Sequence, residues 1–114
     1  MKRPIFMMKK ILIIKAGSSF PSLVSRRGDF EDWILSGMQI SPDQAMIVDV
    51  CQAGPLPVYH AISGVVITGS HAMVTEHQAW SERTAAWLPG AIERGIPTLG
   101  ICYGHQLLAY AMGG

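Results

Sequence analysis

The stretch Pro97-Thr98-Leu99-Gly100-Ile101-Cys102-Tyr103-Gly104-His105-Gln106, continued by Leu107-Leu108-Ala109-Tyr110-Ala111-Met112, decides the fold. A buried strand, Pro-Thr-Leu-Gly-Ile, runs directly into an apolar helix, with Cys102 at the corner and Gly100 and Gly104 two places to either side. This is the pattern of a nucleophile elbow. The sharp strand-to-helix turn forces its corner residue into a strained backbone conformation, and a side chain at either glycine would crowd it. The corner also sets the sulfur at a helix N-terminus, where unpaired amide N–H groups and the positive end of the macrodipole favour the thiolate, the attacking species. A cysteine between glycines can instead be a small buried core residue. The flanking strand and helix favour the nucleophile.

Working outward, the same alternation repeats. Lys10-Ile11-Leu12-Ile13-Ile14-Lys15-Ala16, bounded by Gly17-Ser18-Ser19, reads as a strand buried on both faces of a parallel sheet. Phe30, Trp33, Ile34 and Met38 recur at helical spacing and predict a helix of about three turns. Ala45-Met46-Ile47-Val48-Asp49-Val50 predicts the second strand, and Gly64-Val65-Val66-Ile67-Thr68, ending in Gly69-Ser70-His71, the third. Thr75-Glu76-His77-Gln78 has the form of a capping box and predicts a helix start. Trp80, Trp87, Leu88, Ala91 and Ile92 share one face of that helix, and Pro89 inside it predicts a kink or two helical pieces. Pro97 then opens the fourth strand. The reading is an α/β chain with a doubly wound, mostly parallel sheet, whose ligands bind beyond the carboxyl ends of the strands. Three turns fall on that edge: Gly17-Ser18-Ser19, Thr68-Gly69-Ser70-His71 and the corner at Cys102.

Composition narrows the function classes. A hydrophobic fraction of 49% with 15% charged residues fits a globular chain and excludes disorder. The net charge is +1, and the basic residues Lys2, Arg3, Lys9 and Lys10 lack interleaved aromatics, so neither nucleic acid nor an acidic partner is expected. Cys51 and Cys102 make no disulfide framework, no His/Cys group has zinc-ligand spacing, and a reducing cytoplasm fits best. The apolar run Ile11–Ile14 is too short for a signal peptide or a membrane span. Residues 1–8 read as an extension, with Met7 or Met8 as an alternative start, and residues 9–114 as the folded unit. Cys51 reads as a packed thiol, Asp49 as a solvated carboxylate or helix cap, Arg26-Arg27 as a solvated turn, and Trp33, Trp80 and Trp87 as core or interface residues.

Gly100-Ile101-Cys102-Tyr103-Gly104-His105-Gln106, with Gly64-Val65-Val66-Ile67-Thr68-Gly69-Ser70 before it, resembles the class I (triad-type) glutamine amidotransferase domain, most closely its GMP-synthase-like members. The resemblance implies a flavodoxin-like fold and needs no cofactor or metal. It further implies that Cys102 attacks the side-chain amide of glutamine or of another γ-glutamyl compound, leaving a thioester and releasing ammonia for a synthase domain or subunit. The amides of Gly69 and Tyr103 would form the oxyanion hole, and Gln106 and Ser70 would contact substrate, Ser70 standing where a second glycine is common. In that family a histidine and a glutamate on later strands complete the triad. No such pair follows the elbow helix here, so the resemblance implies the N-terminal part of a larger domain, inactive or weakly active alone. His60, His71, His77 and His105 fit surface or loop positions better than a general base, although His71 lies on the active edge. An uncovered sheet edge would then favour an oligomer or a domain swap. The competing readings are a non-catalytic module that binds a partner through that edge, and another cysteine hydrolase on the same elbow.

Overall fold

The computed structural model describes residues 9–113, so the expected extension over residues 1–8 lies outside the described residues. Four parallel strands, β1 (Lys10–Lys15), β2 (Ala45–Asp49), β3 (Ile62–Ile67) and β4 (Thr98–Gly100), form one sheet in the order β2-β1-β3-β4. Four helices accompany them: α1 (Pro21–Arg27), α2 (Phe30–Met38), α3 (Ala79–Glu93) and α4 (Tyr103–Ala111). The strand order reverses between β1 and β3, and ligand crevices of open α/β sheets form at such a reversal.

Both faces of the sheet are used, as the alternation of strand side chains requires. Leu12 and Ile14 of β1, Val65 and Ile67 of β3, Ala85 and Leu88 of α3 and Leu107 of α4 make the larger core. On the other face Ile13 packs with Leu35 of α2 and with Ala45. Each fully buried Leu or Ile contributes roughly 1.5–3 kcal/mol. That second face is covered over β1 and β2 only. Over β3 and β4 it lies open as a groove of about 380 Å³ walled by Phe30, Trp33, Met38, Val66, Leu99 and Ile101.

Several local expectations are corrected. Helix α3 is continuous through Pro89, not two pieces. The Tyr59 hydroxyl donates to the Trp87 carbonyl beside the proline, and the Tyr59 ring packs on Trp87. The buried stripe of α3 is Ser81, Thr84, Ala85, Leu88 and Ala91, with Trp80 and Trp87 half-buried at its margins. The Thr75-to-Gln78 box does not form. Instead the Met73 N–H donates to Glu76 (2.6 Å) ahead of a short 3-10 turn, and α3 begins at Ala79. Arg26 and Arg27 are solvated but end helix α1, which follows Pro21 and buries no side chain. Asp49 does act as a cap, accepting the Cys51 N–H at 3.1 Å.

Candidate active site

Three parallel strands end side by side. Ile14 of β1 pairs with Ile67 of β3, and Ile67 pairs with Gly100 of β4. Ala16, Gly69 and Cys102 each stand two residues past these positions. Parallel neighbours lie about 4.8 Å apart, so the three exits share one mouth. Main-chain and side-chain bonds tie them together: Ile101 N–H donates to Ile67 (3.0 Å), Thr68 N–H to Ile14 (3.0 Å), and Ala16 N–H to the Thr68 hydroxyl (2.9 Å).

Cys102 caps helix α4 with φ 52° and ψ −110°, a left-handed conformation that L residues rarely hold. It is exposed. The strain expected of the corner is present, and the sulfur is not lost in the interior. Its carbonyl accepts from His105 N–H (3.0 Å) and Gln106 N–H (3.2 Å), which starts the helix directly at the corner. Among the described residues, neither the Tyr103 N–H nor the Gly69 N–H donates to any protein acceptor. Two free donors therefore stand on the same edge as the thiol.

The Tyr103 ring anchors the first turn of α4. It is buried, its hydroxyl shares a hydrogen bond with the buried Ser81 hydroxyl, and its ring centroid lies 5.6 Å from that of Trp80. Burial pushes the Tyr103 hydroxyl up from its ordinary value of 10.0, against the Ser81 bond, which lowers it. Gln106 is exposed one turn into α4. The Ser70 hydroxyl accepts the Ala72 N–H (3.0 Å) and stabilises its own turn.

The first loop of the mouth is held from below. Lys15 pairs with Asp29 (3.2 Å) and Glu31 (2.7 Å), and Asp29 accepts the Ser19 and Phe30 N–H groups, both at 2.8 Å. Burial pushes the Asp29 carboxyl upward, but those amides, the Ser18 hydroxyl and Lys15 outweigh it and hold it at about 2. The sequence gives no spacing signal for this group, because its members sit on a strand and a separate helix. Thr68 has a fainter signature than the glycines of the elbow. Its signal is a polar residue closing the apolar run Val65-Val66-Ile67.

The histidines are dispersed. His60 precedes β3, at the amino end of the sheet. His77 pairs with Glu82 (2.7 Å) and packs near Tyr110, two turns down α4 from the corner. The His71 ring packs on Phe20, and His105 is exposed on α4. None hydrogen-bonds to Cys102 among the described residues. Cys51 is exposed, not the packed thiol expected, because it lies on a short turn after β2. Its thiol donates to the Ala16 carbonyl (3.2 Å), and partial burial with nearby Asp49 pushes it above its ordinary 9.0, against Lys15. Among the described residues no three His, Cys, Asp or Glu side chains are grouped to hold a metal, and no helix is long and apolar enough to cross a membrane.

Comparison with known proteins agrees with this geometry. The GMP synthase [glutamine-hydrolyzing] of Albidiferax ferrireducens is 33% identical over 108 residues, covering 95% of this chain and 18% of that protein. The enzyme of the same name from Oleidesulfovibrio alaskensis is 35% identical over 105 residues, covering 92% of this chain and 17% of that protein. The chain thus spans less than a fifth of the length of these curated relatives. A glutamine amido transferase crystal structure from Methylobacillus flagellatus superposes with a TM-score of 0.67 at 26% identity, over 93% of this chain and 39% of that one. A glutamine amidotransferase from Thermotoga maritima shares the fold, with a TM-score of 0.67 at 21% identity, over 92% of this chain and 43% of that one. The family model Glutamine amidotransferase class-I matches residues 46–114, well over half of the chain and all of the elbow. A flavodoxin-like sheet, an elbow of the expected shape and this match agree: the chain belongs to the class I glutamine amidotransferases.

Proposed function

We propose that Cys102 is the nucleophile of a glutamine-hydrolysing site. Its sulfur attacks the side-chain amide carbon of glutamine, or of another γ-glutamyl compound. The carbonyl oxygen gains charge and is held by the Gly69 and Tyr103 N–H groups. The C–N bond then breaks, the thiol's proton leaves with the ammonia, and a γ-glutamyl thioester remains. Water hydrolyses the thioester to the acid and restores the thiol. Gln106 and Ser70 line the substrate's approach. Each oxyanion donor stabilises the transition state by about 3 kcal/mol. The ammonia serves a synthase domain or subunit, as the name of the GMP synthase relatives suggests. A reducing cytoplasm suits a free thiol of this kind.

One observation carries the reading: an exposed cysteine held at φ 52° shares its edge with two amide donors that no protein group among the described residues occupies. The test is covalent labelling with a chloroketone analogue of glutamine, read by mass spectrometry. The thiolate displaces chloride and forms a carbon–sulfur bond. Labelling at Cys102, slowed by excess glutamine and lost in Cys102→Ala, is the expected result. An unlabelled Cys102, or equal labelling at Cys51, overturns it.

A further inference from the structure

Thr68 ends β3 fully buried, yet it carries a hydroxyl where its neighbours are Val and Ile. Burying a hydroxyl is unfavourable unless its hydrogen bonds are made. Here both are. Its oxygen accepts the Ala16 N–H across the strand reversal (2.9 Å), and its proton goes to the carbonyl of the next residue, Gly69 (3.0 Å). The Thr68 N–H is also fixed, to Ile14 at 3.0 Å. The bond to Gly69 closes a small ring through the Thr68–Gly69 peptide, so the Gly69 nitrogen is a member of that ring. The direction of that N–H is set by the ring.

Gly69 has no such restraint of its own. It lacks a Cβ, and glycine visits many conformations at little cost. Packing does not demand glycine there either, since an added methyl would meet only the Phe30 ring at an ordinary 3.9 Å. Among the described residues no protein acceptor takes its N–H.

The geometry points to Thr68 as a positioning residue for oxyanion stabilisation: its hydroxyl, oriented by the Ala16 N–H, aims the Gly69 N–H at the oxygen that gains charge. This rests on the proposed chemistry at Cys102. Thr68 touches neither substrate nor sulfur and acts through Gly69 alone. A donor misplaced by about 1 Å lowers the rate on the order of 100-fold.

The experiment compares the full chain with Thr68→Val, which keeps the shape but loses the hydroxyl, and Thr68→Ser, which keeps the hydroxyl. Two reagents are used at Cys102. The chloroketone analogue of glutamine presents a carbonyl to the oxyanion donors, whereas methyl methanethiosulfonate forms a disulfide and needs none. Thr68→Val should slow the chloroketone on the order of 100-fold and change the methanethiosulfonate rate by no more than about twofold. Thr68→Ser should restore the chloroketone rate. Equal slowing with both reagents, no slowing with either, or failure of Thr68→Ser to rescue overturns the role. If the wild-type thiol ignores the chloroketone but accepts methanethiosulfonate, the chemistry at Cys102 itself is wrong and the role of Thr68 falls with it. A readout on the unaltered protein guards against a Thr68→Val chain that does not fold. The Thr68 hydroxyl proton should be seen by NMR as a slowly exchanging resonance close to the Gly69 residue, and a rapidly exchanging one overturns the assignment.

Discussion

Gly100 and Gly104 meet across the elbow. A methyl group on Gly100 would overlap the Gly104 carbonyl group and the His105 nitrogen, and one on Gly104 would overlap the Ile67 carbonyl. Apart from the Ile67 Cβ, which is itself fixed to the backbone, every obstacle is main chain, so none can swing aside. Gly100→Ala and Gly104→Ala should each lower stability by about 3 kcal/mol or more. Gly37→Ala, on a helix with nothing within 4 Å, should instead gain up to about 1 kcal/mol. Urea unfolding midpoints check the contrast, and a wild-type midpoint for either elbow variant contradicts the packing.

Cys102 holds a backbone conformation suited to glycine. Cys102→Gly should therefore be more stable than Cys102→Ala by roughly 1 kcal/mol. Both variants lose the labelled thiol. Equal midpoints would show that the corner is relaxed in solution.

Stability should fall in acid through Asp29. Its folded carboxyl sits at about 2 against an ordinary 3.8. A lowered folded value means that the unfolded chain binds the proton first, so this contribution is present above 3.8 and is lost as pH falls through about 2. Lys15 is raised from 10.5, because Glu31 and Asp29 outweigh its burial, so its contribution is present below 10.5 and fades at higher pH. Asp29→Asn should flatten the acid limb of a plot of urea midpoint against pH. An unchanged limb would remove Asp29 as its cause.

The bare half of the sheet predicts self-association. Leu99 is 57% exposed and Met38 43%, side by side with Ile101 and Trp33 around an apolar groove. Exposed apolar surface beside an edge strand favours pairing with another copy. Sedimentation should show association that grows with concentration and weakens in Leu99→Lys. A monomer at every concentration contradicts it.

What the sequence disclosed follows from where the physics is local. The elbow was legible because sterics at one corner dictate Gly100, Cys102 and Gly104 within five residues. The strands were legible because Leu12–Ile14 and Val65–Ile67 are buried in unbroken apolar runs. Helix α1 was not, because it buries nothing and so leaves no apolar period. The start of α3 was misplaced because Thr75 and Glu76 lie in a separate turn that ends at left-handed His77. Lys15 with Glu31, and Thr68 with Ala16, were hidden because their partners are 16 and 52 residues away.

The twisted backbone at the corner has a practical corollary for anyone who tries to improve this protein. A library screened only for heat resistance would enrich glycine at position 102, because that replacement relieves the chain. The most robust members would then be those without the thiol. Any such screen has to be paired with a selection that reads the sulfur.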